Sequence, residues 1–184
     1  SAASDVYKRQ ISEGSYGVSL MNDCKYGYSM KNRVMTQTLI KSGTEPNLTA
    51  DQEEHFFTYS LYPHAGTWRE AGTEQEALNL NVPAKAVAGA AEKDRMEFLS
   101  VDKRDVVLET VKKAEDGDGV IVRLYEVENA RTKVTLHCAE AIASAEETDL
   151  LENPIEGALG VKENEIELTI KPYEIRTIRI RTAK

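Results

Sequence analysis

Short runs of β-branched and aromatic residues recur along this chain, and each run ends at Gly, Asn, Asp or Pro. Most runs span about five to nine residues, which suits a strand better than a helix. Val, Ile, Thr, Tyr and Phe favour strands because their side chains pack well on a pleated surface. The sequence therefore predicts an all-β fold built from antiparallel strands.

The first half of the chain contains three predicted strands and one predicted helix. The strands are Gly17–Met21, Val34–Ile40 and Phe56–Leu61, and the helix is Thr67–Leu78, followed by an extended segment, Asn79–Pro83. Aromatic side chains alternate onto both sides of the third strand, which predicts that both of its faces are covered. Two polar connections separate the strands, and binding residues are expected there because loops carry function more often than strands do.

The second half is the more regular part of the sequence. Its predicted strands are Met96–Val101, Val106–Ala114, Val120–Val127, Lys133–Ala139, Ala141–Glu147, Ile166–Ile170 and Ile175–Arg181. The segment Glu115–Gly119 (EDGDG) predicts a tight turn between the second and third of them. Short strands with regular turns over about 90 residues predict an antiparallel β-sandwich.

Composition divides the chain into three parts. Residues 1–13 show no strand periodicity, and we interpret them as a disordered leader or an artefact. The segment Ala84–Arg95 is rich in small residues, which is typical of a linker. We therefore predict domains at 14–91 and 92–184.

Net charge limits the classes of partner. The 184 residues carry a formal charge of −8, the isoelectric point is about 5.0 and the mean hydropathy is −0.46. Nucleic acids and anionic membranes are recognised by concentrated basic surfaces, so we expect neither as a partner. The sequence does not decide between a monomer and a homo-oligomer.

The cysteine count indicates a reducing compartment. Cys24 and Cys138 lie far apart, and two cysteines do not form the dense disulfide framework of a small secreted domain. The count alone does not exclude a disulfide between these two residues. We interpret both residues as reduced thiols and predict a cytoplasmic location.

Few residues could perform catalysis or bind a metal. Asp51, Glu53 and Glu54 precede a strand, but their simplest interpretation is a solvated acidic loop. A zinc site needs three or four converging ligands. His55, His64, Asp23 and Cys24 are the only plausible set. The two histidines lie at opposite ends of one predicted strand, roughly 30 Å apart, so we expect no metal site and no catalytic residue.

Two long segments carry a family resemblance. Gly17–Tyr28 (GVSLMNDCKYGY) and Thr49–His64 (TADQEEHFFTYSLYPH) resemble the region after the catalytic barrel in glycoside hydrolase family 38, the α-mannosidases. The resemblance extends over about residues 11–182. It implies that 14–91 is the end of a large, supersandwich-like antiparallel β-sandwich and that 92–184 is a smaller β-sandwich.

The resemblance also carries expectations about function. It implies a catalytic barrel before residue 1 that binds a divalent metal, zinc, and hydrolyses terminal α-mannosyl residues. This chain alone is then inactive. Its partners are that upstream domain and a mannosyl oligosaccharide. Loops of the β-rich region wall the sugar cleft, and the residues expected to contact substrate are Asp51, Gln52, His55, Asp23, Lys25 and Tyr26. Glu53 stands where the family usually has Gly.

Two other functions fit the same residues. A freestanding carbohydrate-binding module would present a row of exposed aromatic side chains, for which the candidates are Trp68, Tyr59, Tyr62 and Tyr26. Core packing is the competing use of these rings, because Tyr59 and Tyr62 alternate onto opposite faces of one strand. The remaining alternative is a purely structural β-sandwich module.

Overall fold

The chain divides into two compact units. The computed structural model describes residues 4–5, 8–90 and 93–183. The units are Ser1–Ala88 and Gly89–Lys184, which we call the N-terminal and C-terminal units. Residues 1–3 and 6–7 of the expected leader, and 91–92 at the expected boundary, lie outside the described residues. The described residues form fifteen strands and one helix of nine residues, so the predicted all-β class is confirmed.

A four-stranded antiparallel sheet forms the centre of the N-terminal unit. The elements of this unit are β1 (Ser4–Asp5), β2 (Lys8–Ser12), β3 (Tyr16–Asn22), β4 (Tyr28–Lys31), β5 (Val34–Gln37), β6 (Tyr59–Ala65) and α1 (Thr73–Asn81). The strand order in the sheet is β1-β2-β3-β6, and β4 and β5 form a separate hairpin. β5 is the second predicted strand, Val34–Ile40, and it ends three residues earlier than expected. Its partner β4 was not predicted.

The interpretation of residues 1–13 as a leader is wrong for residues 8–12. These residues form β2, which pairs with β3 along its whole length. Lys8 and Gln10 are only 1% and 0% exposed, yet both are polar. The buried positions of this strand therefore show no apolar alternation in the sequence.

The third predicted strand lies further along the chain than expected. β6 continues through Pro63, which is tolerated because β6 is an edge strand of its sheet. Both of its faces were predicted to be covered, and within this chain only one is. His64 is buried on one face, whereas Tyr59 and Leu61 on the other face are 58% and 64% exposed.

Helix α1 packs against one face of the sheet. Thr73 and Ala77 are buried, and the Thr73 hydroxyl lies 3.5 Å from Ser19 Oγ of β3. Lys8 Nζ lies 2.5 Å from Glu74 Oε1 and 3.8 Å from the centroid of the buried Trp68 ring. The face is therefore stabilised by polar contacts as well as by apolar burial.

The helix also starts and ends later than predicted. Gly72 precedes α1 with φ of 63°, a left-handed conformation that separates the helix from the turns at 67–72. The residues Asn79–Asn81, predicted to be extended, form the last turn of α1. Gly72, which lies inside the predicted helix Thr67–Leu78, thus marks the point where α1 begins.

Gly17 allows His64 to pack closely against β3. A Cβ at residue 17 would lie 2.4 Å from His64 Cε1 and 2.8 Å from Ser12 Cβ. We expect Gly17→Ala to lower the free energy of unfolding by about 2 kcal/mol, because the buried imidazole must shift and lose its contact with Ser19 Oγ.

Chemical denaturation of the purified chain measures this effect, with Gly14→Ala as the matched control. A Cβ at Gly14 would meet no atom within 4 Å. Equal effects of the two substitutions would contradict the packing argument. Adding His64→Ala to Gly17→Ala should restore part of the lost stability, since it removes the clashing ring.

The C-terminal unit consists of two antiparallel sheets. Its strands are β7 (Leu99–Val101), β8 (Val106–Lys113), β9 (Val120–Glu126), β10 (Thr132–Cys138), β11 (Ile142–Thr148), β12 (Pro154–Ala158), β13 (Val161–Lys162), β14 (Glu165–Ile170) and β15 (Ile175–Thr182). One sheet has the order β13-β14-β10-β7 and the other β12-β11-β15-β9-β8. The seven predicted strands are all present, with ends that differ by a few residues.

Apolar side chains from both sheets form one core between them. Val134, Leu136, Ile166 and Ile170 of the first sheet belong to the same buried cluster as residues of the second. The latter include Val122, Leu124, Ile178 and Ile180. The predicted β-sandwich is therefore confirmed. The sequence missed β12 and β13, which are short edge strands next to Pro and Gly.

None of the helices in the part of the chain that the structure describes has the length and apolarity needed to cross a membrane.

Candidate functional site

Two loops of the N-terminal unit meet beside the end of β3. We call residues 23–27, between β3 and β4, the first loop, and residues 38–58, between β5 and β6, the second loop. Asp23 N donates to Thr58 O at 3.2 Å, and Thr58 N donates to Asp23 Oδ2 at 2.9 Å. These bonds extend the β3–β6 pairing beyond its last pair, Asn22 and Tyr59. The strand register thus brings the loops together.

A cation and aromatic rings lie next to each other where the loops meet. Lys25 Nζ lies 4.6 Å from the centroid of the Phe57 ring. Phe57 in turn stacks on Tyr59, with centroids 6.5 Å apart and ring planes at 28°. Tyr26 is 69% exposed. The surface therefore offers solvent-accessible aromatic area beside hydrogen-bonding groups.

Asn22 anchors the first loop from inside the unit. Its side chain is 1% exposed, and its Oδ1 accepts hydrogen bonds from Cys24 N, at 3.1 Å, and from Lys25 N. Its Nδ2 donates to Tyr28 Oη, at the start of β4. The sequence predicts that Asn22 lies in a turn or loop and bonds the nearby backbone, but it does not predict that Asn22 is buried.

The charge state of the first loop follows from these contacts. A hydrogen bond from the Cys24 thiol, together with the Thr58 amide, holds the pKa of the Asp23 carboxyl below its ordinary value. The same bond to Asp23 raises the pKa of the Cys24 thiol. At neutral pH the loop therefore presents a carboxylate and a protonated thiol.

The other predicted contact residues make their hydrogen bonds within the second loop. Gln52 Nε2 donates to Leu48 O at 3.1 Å, and His55 Nε2 donates to Asp51 O at 3.2 Å. Asp51 is exposed and has φ of 57°, a left-handed conformation. The contacts between the two loops are instead those of Asp23 with Thr58 and of Lys25 with Phe57.

The aromatic candidates do not form one exposed row. Trp68 is buried beside Lys8, and the Tyr62 hydroxyl donates to Ala71 O at 3.1 Å. Tyr59 and Tyr26 are exposed. Two of the four rings therefore serve packing or internal hydrogen bonding, as the competing interpretation holds.

The described residues do not fit a zinc site. Across 4–5, 8–90 and 93–183 there is no group of three or more His, Cys, Asp or Glu residues that could hold a metal ion. His64 is buried against Gly17, whereas His55 lies in the second loop. Cys24 is an exposed free thiol and Cys138 a buried one.

Family models match both units of the chain. The model of the glycosyl hydrolases family 38 C-terminal domain matches residues 7–49, and that of the family 38 C-terminal beta sandwich domain matches residues 105–178. Together they cover more than half of the sequence. The chain belongs to glycosyl hydrolase family 38. The first match includes β2 and the first loop, and the second includes most of the confirmed β-sandwich.

Relatives within family 38 are much longer than this chain. Alpha-mannosidase 2C1 of Mus musculus is 37% identical over 175 residues, which cover 91% of this chain and 17% of that protein. Alpha-mannosidase G of Dictyostelium discoideum is 34% identical over 180 residues, or 92% of this chain and 16% of that protein. The chain thus spans about a sixth of the length of these relatives and matches the family's C-terminal domains.

Solved family 38 structures have the same fold. An α-mannosidase from Enterococcus faecalis V583 superposes with a TM-score of 0.74 at 20% identity, over 97% of this chain and 21% of that one. Another Enterococcus faecalis protein in the family gives a TM-score of 0.72 at 20% identity, over 94% of this chain and 22% of that one. At this identity the likeness supports the fold.

Proposed function

We propose that this chain is the non-catalytic C-terminal part of an α-mannosidase that hydrolyses terminal α-mannosyl residues of oligosaccharides. In this role the chain supports an upstream catalytic barrel, and its first and second loops wall the sugar cleft. The observation that carries the proposal is the junction of the two loops, where Asp23 pairs with Thr58 and Lys25 lies over Phe57.

The chemistry of this junction suits a sugar. Sugar rings have apolar C–H faces and polar edges, so they bind to surfaces that combine aromatic rings with hydrogen-bonding groups. Tyr26 supplies an exposed ring and Lys25 supplies donors, while ionised Asp23 accepts from Thr58 N and so holds the two loops together beside them. Asp51, Gln52 and His55 complete the proposed cleft wall from the second loop.

A supporting role fits the exposed side of the N-terminal sheet. Tyr59 and Leu61 are exposed on the face opposite α1. An upstream domain of the same protein would bury them, and the much greater length of the family 38 relatives is in line with such a domain. The proposal places a divalent metal, zinc, in that upstream domain, as the family resemblance implies. Two free thiols support a cytoplasmic location.

Mannose titration of the pure chain, followed by NMR, tests the sugar contact. We expect shifts in the backbone amides of Cys24, Lys25 and Tyr26 with mannose and smaller shifts with galactose. Tyr26→Ala should remove most of the response. Tyr16→Ala, which removes an exposed tyrosine at the start of β3, should not.

An aryl α-mannoside tests the catalytic part of the proposal. We expect no turnover by the pure chain above the rate in buffer, because the proposed catalytic groups belong to the upstream domain. Turnover that survives repurification would contradict the non-catalytic assignment. Equal responses to mannose and galactose, or no response to either, would contradict the sugar-contact role while leaving the supporting role in place.

A further inference from the structure

We propose that Asn81, the last residue of α1, positions the first loop through Asn22 and thereby sets the affinity of that loop for sugar. This inference rests on the proposed sugar-contact role. Neither asparagine touches the proposed sugar surface directly, so both are positioning residues. Their effect passes through the backbone that carries Asp23, Lys25 and Tyr26.

The first link joins α1 to β3. Asn81 Nδ2 donates to Asn22 O at 3.1 Å and to Ala77 O, within its own helix, at 2.8 Å. One amide group therefore bridges a helix carbonyl and the last carbonyl of β3. Because Asn22 is buried, solvent cannot easily replace a lost donor at this carbonyl.

The second link joins Asn22 to both ends of the first loop. Its Oδ1 accepts from the amides of Cys24 and Lys25, and its Nδ2 donates to Tyr28 Oη. The guanidinium of Arg9, in β2, lies over the Tyr28 ring, with Cζ 4.8 Å from the ring centroid. A rotation or shift of Asn22 would therefore move the whole loop.

Helix α1 is packed firmly on the sheet, so it holds Asn81 in a fixed position relative to the first loop. Ala77 is 1% exposed, and Thr73 is buried against Ser19. Lys8 of β2 forms an ion pair with Glu74 in the first turn of the helix. Contacts with β2 and β3 thus fix the position of α1, and the bond from Asn81 to Asn22 O fixes the loop relative to the helix.

Asn81→Asp tests this link with almost no change in side-chain size. A carboxylate cannot donate to Asn22 O and would face two carbonyl oxygens. Asn79→Asp is the matched control, because it makes the same change two residues earlier, at an exposed position near the same helix end. Both variants place the same charge in the last turn, where a carboxylate is mildly unfavourable.

Hydrogen exchange of the Cys24 and Lys25 amides measures the order of the loop. We expect Asn81→Asp to accelerate this exchange about tenfold and to weaken mannose binding about fivefold, the size of a lost hydrogen bond. Asn79→Asp should change neither. Circular dichroism and the exchange of the β3 amides at Ser19 and Leu20 report whether the unit remains folded.

Unchanged exchange in Asn81→Asp would overturn the inference. Faster exchange with unaltered mannose affinity would overturn its functional half, since the loop would then be ordered by Asn81 without consequence for binding. If the unchanged chain binds no mannose, the proposed sugar contact fails, and the exchange result still decides whether Asn81 orders the loop.

Discussion

Glu126→Gln is expected to lower the free energy of unfolding of the C-terminal unit by about 3 kcal/mol, although the substitution replaces a single oxygen by NH₂. Glu126 ends β9 and is 1% exposed. Its Oε1 accepts from Glu128 N and Ala130 N, at 2.7 and 3.0 Å. This buried carboxylate therefore shapes the turn that leads into β10.

The second oxygen of Glu126 connects two separate turns. Oε2 accepts from Asn129 N at 3.0 Å and from Tyr173 N, in the turn before β15, at 2.9 Å. Glutamine retains one oxygen and turns its NH₂ group toward two backbone donors. Two N–H groups that point at the buried carboxylate then lose their acceptor, and each costs about 1–3 kcal/mol.

Urea denaturation, followed by far-UV circular dichroism, measures the loss in the free energy of unfolding. Glu140→Gln is the control. The Glu140→Gln substitution removes the same charge at an exposed position in the same unit. Glu126→Ala should be at least as destabilising as Glu126→Gln, because it leaves all four N–H groups without the carboxylate. A loss below about 1 kcal/mol for both variants would contradict this account.

Gly119→Ala is expected to destabilise the same unit by about 3 kcal/mol, through backbone strain and a steric clash. Gly119 has φ of 95°, and a Cβ there would lie 2.5 Å from Ile180 O of β15. The obstacle is a backbone atom of the central strand of a five-stranded sheet, so it cannot move aside cheaply.

Gly157→Ala separates the two causes. Gly157 has φ of 118°, yet a Cβ there would meet no atom within 4 Å. Its substitution therefore costs strain alone, about 1 kcal/mol or slightly more. Denaturation curves for both variants should differ by about 2 kcal/mol, the cost of the clash. Equal losses would show that strain alone accounts for the effect at Gly119.

The turns at Gly119 and after Glu126 show which features the local sequence predicts and which it does not. Glu115–Gly119 predicts a tight turn, and the structure has one, with Gly117 N donating to Ala114 O at 2.9 Å. The contact between Gly119 and β15 depends on a strand more than fifty residues away, so the sequence could not reveal its cost. Glu126 likewise resembles any other glutamate at the end of a strand.

The candidate site shows the same division. The sequence pointed to 22–28 and 49–55 as functional loops, and the turn chemistry expected at Asn22 is present. The junction through Asp23, Thr58 and Phe57 follows from the β3–β6 register, and the bond from Asn81 follows from the packing of α1. Neither is encoded in local residue preferences.

The sequence by itself determined the fold class, the β-sandwich of the second unit and the membership of family 38. Apolar alternation and turn residues are local signals, and in this unit the buried positions are apolar. Only the tertiary structure decided that Lys8–Ser12 is a strand, where α1 begins, and which loop residues meet. Those positions are buried among polar partners, such as Lys8 with Glu74, and a polar residue in the sequence does not reveal a partner distant along the chain.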